Sequence, residues 1–311
     1  MKKKICIIIT VLIAIVLVAL AGLWLWSSQP TGAAPTITES QGSVIKLASN
    51  LARKGIIRSP LMFRIEWGRD AGPQEGFYEV GGKSLEEIIA TIKNGPNIAR
   101  VTIPEGFSSG QVAQRLGKNG FNGNEIYKIA QPKEGTLFPE TYFLRKSLTS
   151  DEVIKQLIDE YQTKTKSLTV SDQDLIIASI VEREAKKEDE RAKIAAVYLN
   201  RLNQNIKLEA DPTAQYGRDL ALIKTDGLTD MQLWEPLKAG ETHSIVSAYN
   251  TYLNDGLPPG PICNPGLKSL EAAKNPEKGF DYLYFFHDKD GNVHFSKTYP
   301  EHQDLIKQFG L

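Results

Sequence analysis

The first pattern along the chain is an unbroken apolar run. Residues Ile5 to Trp26 carry no charge over 22 positions, with Thr10 as the one polar interruption. As a helix that run would extend about 33 Å, enough for a bilayer core. Lys2, Lys3 and Lys4 precede it, and Trp24 and Trp26 stand where interfacial anchors belong. The pattern predicts a cytoplasmic tail at 1–4 and a transmembrane anchor at 5–26. It puts the chain in the cytoplasmic (inner) membrane with a single pass, everything beyond about residue 27 lying outside the cytoplasm. Ala19-Leu20-Ala21 resembles a signal-peptidase site, so a cleaved leader is the alternative. Continuation of the run through Leu23–Trp26 favours the anchor.

A Ser/Pro/Gly/Ala linker spans 27–35, and short strands then alternate with short helices. Thr36–Glu39 reads as a strand and Ser43–Lys54 as a helix stopped by Gly55. Met62–Trp67 fits either a strand or a helix, and Phe77–Val80 is a strand. Ser84 and Glu87 form a capping box that opens a helix ending near Asn94-Gly95. A weak repeat matches Ala48, Leu51 and Gly55 with Ala113, Leu116 and Gly120, each set preceded by a strand, Thr36–Thr38 and Arg100–Ile103. Small β-α units of this kind resemble LysM-like carbohydrate-binding modules, although strand–helix–Gly is also generic α/β grammar. We expect such a module at 36–100 and a connecting α/β region at 101–170. The latter contains Gly135–Tyr142 and a helix over Asp151–Lys166 capped by Thr149 or Ser150.

From 171 to 311 the periodicity becomes mainly helical, so the predicted class is α+β, with peripheral strands on a helical catalytic domain. Asp174–Glu184 scans as one helix and Glu188–Leu202 as another. At about 100° per residue, Ile177, Ile180 and Val181 share a face with Ile176 at its edge, and Glu184 falls near the middle of it. Glu182 points nearly the opposite way, toward solvent or a supporting position. A carboxylate in an apolar stripe costs several kcal/mol unless it is paired or protonated. A carboxyl kept protonated near neutral pH is a ready general acid. The plain alternative is a helix-end residue paired with Arg183, Lys187 or Arg191.

Charge and composition narrow the chemistry. Lys plus Arg equal Asp plus Glu at 37 each, and no large basic field exists, which argues against nucleic acid as a partner. Cys6 and Cys263 are too far apart in sequence and context to imply a disulfide framework. The four histidines, His243, His287, His294 and His302, show no metal-ligand spacing, so no cofactor is expected.

Two polar, aromatic and Gly/Pro-rich stretches follow: Leu208–Gly217, and Ser247–Tyr252 leading through Gly256–Ile262 to Asn264-Pro265-Gly266. Such loops suit a site that grips a polar polymer. Tyr216, Tyr249 and Tyr252 are candidates to stack on sugar rings. Asn200, Asn250 and Thr251 are candidates to bond hydroxyl and acetamido groups, with Asp211 and Thr213 in the same substrate-binding set. The simpler reading is that Asp211-Pro212-Thr213 caps a helix and Pro258-Pro259-Gly260 is a rigid turn.

These stretches resemble the MltG/YceG-like family of membrane-anchored endolytic murein transglycosylases. The likeness rests on Ala178–Glu184, Val197–Leu202, Leu208–Gly217, Ser247–Tyr252, Gly256–Ile262, Leu137–Tyr142, Tyr282–Phe286 and His294–Ser296. It implies cleavage of the β-1,4 bond between N-acetylmuramic acid and N-acetylglucosamine within peptidoglycan glycan strands. The product would be a 1,6-anhydromuramyl end, with Glu184 as the catalytic residue. Association with the cell-wall synthesis machinery is a further implication of the resemblance. Two features depart from the family pattern: Glu209 stands where Gln is common, and 218–246 replaces a usually shorter run. A muramidase-type hydrolase using Asp211 or Glu209 as second carboxylate is one alternative, and a non-catalytic glycan-binding scaffold is another.

Overall fold

A computed structural model describes residues 2–228 and 231–310. Met1 of the expected tail, Thr229 and Asp230 of the 218–246 segment, and Leu311 lie outside the described residues. The architecture mixes helices with small sheets. The chain divides into two units, one running to Arg100 and including Phe143–Ser147, the other covering Val101–Tyr142 and everything from Leu148 onward.

The first unit begins with α1 (Lys2–Ser28), of which Lys3–Ser28 is long and apolar enough to cross a membrane. Next come β1 (Thr36–Ser40), α2 (Val44–Arg53), α3 (Pro60–Trp67), β2 (Gly76–Val80), α4 (Leu85–Lys93) and β3 (Ile98–Thr102). Met62–Trp67 is therefore helical. Ser59 accepts the Met62 N–H as N-cap and Pro60 occupies the first turn, a start signal that outweighs the strand-like composition. The Ser84–Glu87 capping box forms as expected, with both reciprocal bonds present. β1 and β2 pair antiparallel from Thr36↔Val80 to Ser40↔Gly76, and Phe77 of β2 pairs with Ile98 of β3. Leu47, Leu51, Phe63, Tyr78, Ile88 and Ile92 close the core under this layer.

The second unit holds α5 (Ser109–Gly117), α6 (Gly123–Ala130), β4 (Thr141–Arg145, shared at the boundary), α7 (Ser150–Thr165), α8 (Asp172–Glu184), α9 (Arg191–Asn203), α10 (Asp211–Asp226) and α11 (Leu267–Lys274). The antiparallel strands β5 (Tyr284–His287) and β6 (Val293–Ser296) and then α12 (Tyr299–Phe309) complete it. β4 is the outer strand of the four-stranded sheet, ordered β1-β2-β3-β4. The cap of α7 is Thr149, paired reciprocally with Glu152.

One expectation changes here. Glu188–Leu202 is not one helix: Glu188–Glu190 is a single 3-10 turn before α9. The Glu190 carboxylate accepts the Lys186 and Lys187 N–H groups, both at 3.1 Å, and holds that turn out of helical register. The segment 101–170, apart from 143–147, falls in the same compact unit as Glu184. Within that unit the buried Glu134 carboxylate accepts from Ser109 N–H and Oγ, from Tyr216 OH at 3.0 Å and from Asn264 Nδ2 at 3.0 Å. Asn264 Oδ1 in turn accepts the Leu137 N–H at 2.8 Å.

Gly135 follows this carboxylate at φ +89, and a Cβ there would meet Pro261 Cγ at 2.7 Å. Gly135→Ala should destabilise the protein by about 2 kcal/mol or more through left-handed strain and overpacking. Denaturant midpoints measure this, and an unchanged midpoint would show that the contact relaxes freely.

Candidate active site

α8 starts at Ser171, whose hydroxyl accepts the Asp174 N–H while Asp174 accepts the Ser171 N–H. Asp172 and Asp174 also suit the positive end of the helix. From Ile176 to Val181 every residue is buried, so this stretch is enclosed on all sides and not along one stripe. Ser179 fastens its polar side: Oγ donates to the Ile176 carbonyl and accepts the Ile262 N–H at 3.1 Å. The Cys263 thiol donates to the Ser179 carbonyl. The Gly/Pro loop around 258–266 thus backs α8, which is why its polar groups are turned inward.

The two glutamates at the end of α8 part company by their partners. Glu182 is not solvent-facing as its phase suggests. Its side chain is 6% exposed, accepting from Arg191 at 3.3 Å and from the Gly266 N–H at 3.0 Å. Glu184 takes none of the three cationic partners open to it. Arg191 is bonded to Glu182 and Ser269, Lys187 reaches Asn292, and Arg183 stacks 3.9 Å from the Trp234 ring centroid. Its Oε1 accepts instead from Tyr198 OH on α9 at 3.1 Å.

Glu184 opens on a cavity of about 320 Å³. The residue is only partly buried by exposure because its tip meets this space, yet its surroundings strip most of the water from the carboxyl. Burial pushes its pKa up from 4.5 to about 7; the Asp211 carboxylate adds to the rise, while the Tyr198 hydroxyl and Arg183 pull the other way. Being the last residue of α8, Glu184 also sits at the negative end of the helix, which opposes ionisation.

Around the cavity, α9 supplies Val197, Tyr198 and Arg201, the next loop supplies Leu208 and Glu209, and Asp211 opens α10. Tyr252 donates to Asp211 Oδ1 at 2.6 Å. The opposite wall is the run Leu283–His287 with Tyr299 and His302. Tyr284 and His302 stack at 5.4 Å with a 30° interplanar angle. Arg201 is held by the Lys207 and Leu283 carbonyls and by Glu209 at 2.5 Å. Glu209 itself sits at φ +47, an uncommon conformation for a side-chain-bearing residue. A Gln there could keep that hydrogen bond but would leave the Arg201 charge without its counter-ion.

Of the expected site residues, Glu184, Asp211 and Tyr252 share this cavity. The other six lie outside its lining. Asn200 spends its amide on the Phe280 and Tyr282 carbonyls. Asn250 spends its own on Thr242 and Ile245. Thr213 and Thr251 are fully enclosed and bond each other at 2.8 Å, while Thr251 Oγ1 also accepts the Ala210 N–H. Tyr216 is buried on Glu134, and Tyr249 packs edge-on against it at 4.8 Å, outside the cavity lining. Asn200, Asn250, Thr213 and Thr251 thus spend their side-chain groups on backbone and on each other, and Tyr216 on Glu134. Conversely, Tyr198, Arg201, Tyr284, Tyr299 and His302 were not singled out. The aromatic run Tyr282–Phe286 was the available signal, but it lies about a hundred residues beyond Glu184. Among the described residues, no three His, Cys, Asp or Glu side chains converge to hold a metal ion.

The model of the YceG-like family matches residues 37–308. An endolytic murein transglycosylase of Bacillus subtilis (strain 168) is 33% identical over 87% of this chain and 83% of its own length. An endolytic murein transglycosylase of Streptococcus pneumoniae is 27% identical over 88% of this chain, which spans 58% of that longer protein. A crystal structure of a YceG-like protein from Listeria monocytogenes superposes with a TM-score of 0.55 at 26% identity, covering 88% of this chain and 99% of the other.

Glu184 and Glu134, whose pKa is likewise raised to about 7 by burial, give stability a pH dependence. Between about 4.5 and 7 the folded protein holds protons that the unfolded chain has released, so stability falls as pH rises through that window. Glu184→Gln and Glu134→Gln should each remove part of that decline. Denaturant midpoints at several pH values measure the wild-type-minus-variant difference. A difference that is flat, or that grows in favour of wild type with rising pH, would contradict the assignment.

Proposed function

The chain belongs to the YceG-like family, and from that premise we propose that it is an endolytic peptidoglycan lytic transglycosylase with Glu184 as its acid and base. The observation that carries the proposal is a desolvated carboxyl, its pKa pushed to about 7, opening on a cavity walled by aromatic and charged side chains. Protonated Glu184 delivers its proton to the glycosidic oxygen, and the C1–O bond breaks to leave an oxocarbenium-like muramyl centre. The Glu184 carboxylate then takes the proton of the muramyl C6 hydroxyl as that oxygen bonds to C1. The leaving strand departs as an alcohol, and the new end is a 1,6-anhydro ring formed without water. An intramolecular hydroxyl has a high effective concentration, so one carboxyl serves both steps.

The other cavity groups take supporting roles. Tyr198 fixes Oε1, which assigns proton delivery to Oε2. Tyr284, Tyr299 and His302 offer faces for sugar rings, and the Tyr252–Asp211 pair and Arg201 offer polar contacts. They replace Asn200 and Asn250 as the groups for the muramyl substituents. We place the catalytic unit outside the cytoplasm on α1 as a single-pass anchor, beside the wall it cuts and the machinery that builds it. The β-α segments of 36–100 take the LysM-like role of holding glycan. The hydrolytic alternative has one observation in its favour, that Asp211 lines the same cavity as Glu184.

Mass analysis of digested uncrosslinked glycan separates these readings. Anhydro ends are expected; ends heavier by one water, about 18 Da, identify hydrolysis. Glu184→Gln should lower fragment release by about 10²–10⁴-fold with the fold intact, and full activity in that variant sinks the assignment. Because the acid must carry its proton, kcat/KM should fall as pH rises through about 7. Tyr198→Phe removes a hydrogen bond that favours the ionised form, so this alkaline limb should move to higher pH. A shift to lower pH would contradict the role given to Tyr198.

A further inference from the structure

α3 is tied to the end of α1 at two points. Arg58, just before α3, donates to the Trp26 carbonyl at 2.8 Å and to the Pro30 carbonyl at 3.2 Å. Its guanidinium also lies 5.3 Å from the Trp26 ring centroid. Glu66, near the far end of α3, lies close enough to the Trp24 side chain to feel it electrostatically. Pro60 to Glu66 rises about 9 Å along α3, whereas Trp24 and Trp26 differ by about 3 Å along α1. Both ends of α3 therefore lie near the tryptophan end of α1.

That level can be placed. A helix over Lys3–Ser28 extends about 39 Å, against a hydrocarbon core of about 30 Å, so its last turns reach the headgroups. α3 turns Met62, Phe63 and Trp67 inward. Its other face shows Leu61 at 57% exposure and Ile65 at 61%, one turn apart, with Arg64 beside them. From Val44 to Asp70 the chain carries six basic side chains against two acidic ones, and one of those two, Glu66, is pushed toward its neutral form by burial and by Glu86.

We propose that α3 lies in the interface of the membrane that α1 spans, with Leu61 and Ile65 inserted among anionic phospholipids. The proposal rests on reading α1 as an anchor. The two apolar side chains and the basic surplus match an interfacial helix, and the ties to Trp24 and Trp26 bring that face to the bilayer. The first unit would then be held flat on the lipid surface instead of swinging on the 27–35 linker.

The test uses the full chain in vesicles of phosphatidylglycerol and phosphatidylethanolamine. An environment-sensitive fluorophore is placed on Ile65→Cys or Leu61→Cys, with Cys6→Ala as background and the buried Cys263 left in place. Ile13→Cys in α1 and Lys83→Cys on the exposed side of the first unit serve as controls. Labels at 61 and 65 should shift to the blue and be quenched by shallow doxyl lipids, as expected about 5–10 Å into the headgroup boundary. The Lys83 label should stay water-like. Quenching at Ile13 but not at 61 or 65 overturns the interfacial helix while keeping the anchor. Absence of quenching at all three overturns both. Protection at 61 and 65 that grows with protein density, without lipid quenching, assigns the face to a second copy. None of these outcomes depends on glycan cleavage.

Discussion

The second unit sustains one unfavourable act on which the proposed chemistry depends, the removal of water from the Glu184 carboxyl. α8 is enclosed from Ile176 to Val181 and ends on this residue, so its charge would face both low solvation and the helix's negative end. The surrounding structure gives it no ion pair. Arg183, Lys187 and Arg191 are all engaged elsewhere, and the neighbouring carboxylate Asp211 makes ionisation harder still. A single phenolic hydroxyl from Tyr198 orients the group without neutralising it.

Glu134 is a second desolvated carboxyl, held in a different way. It too is pushed to about 7 by burial. Its oxygens, however, are saturated by Ser109, Tyr216 and Asn264, and the bonds knit α5, α10 and the loop before α11 into one unit. Glu184 has one donor and an open cavity. What separates the two buried carboxyls is how much of their hydrogen-bonding capacity the protein has already used.

Local signals carried far. The capping box at Ser84 was readable because both partners lie within one helical turn, and Thr149 was one of the two caps weighed for α7. Helical phase and family resemblance both pointed to Glu184. The phase argument was sounder in its choice than in its reason, since Glu182 is also enclosed and what separates the two is the Arg191 and Gly266 bonds. The binding wall was not legible, because β5 and α12 reach Glu184 only through tertiary packing. Asn200, Thr213, Asn250 and Thr251 lie outside the cavity lining for a related reason. Loops rich in polar residues must satisfy their own buried backbone, and which polar groups remain for a ligand is settled by contacts that sequence spacing does not reveal.

The central claim is that Glu184 holds its proton near neutral pH. A difference-infrared titration of wild type against Glu184→Gln measures this directly and subtracts the contribution of Glu134. The account predicts that the protonated-carboxyl band assigned to Glu184 disappears with a midpoint near 7. A midpoint near 4.5, the ordinary value for a glutamate in water, would contradict it.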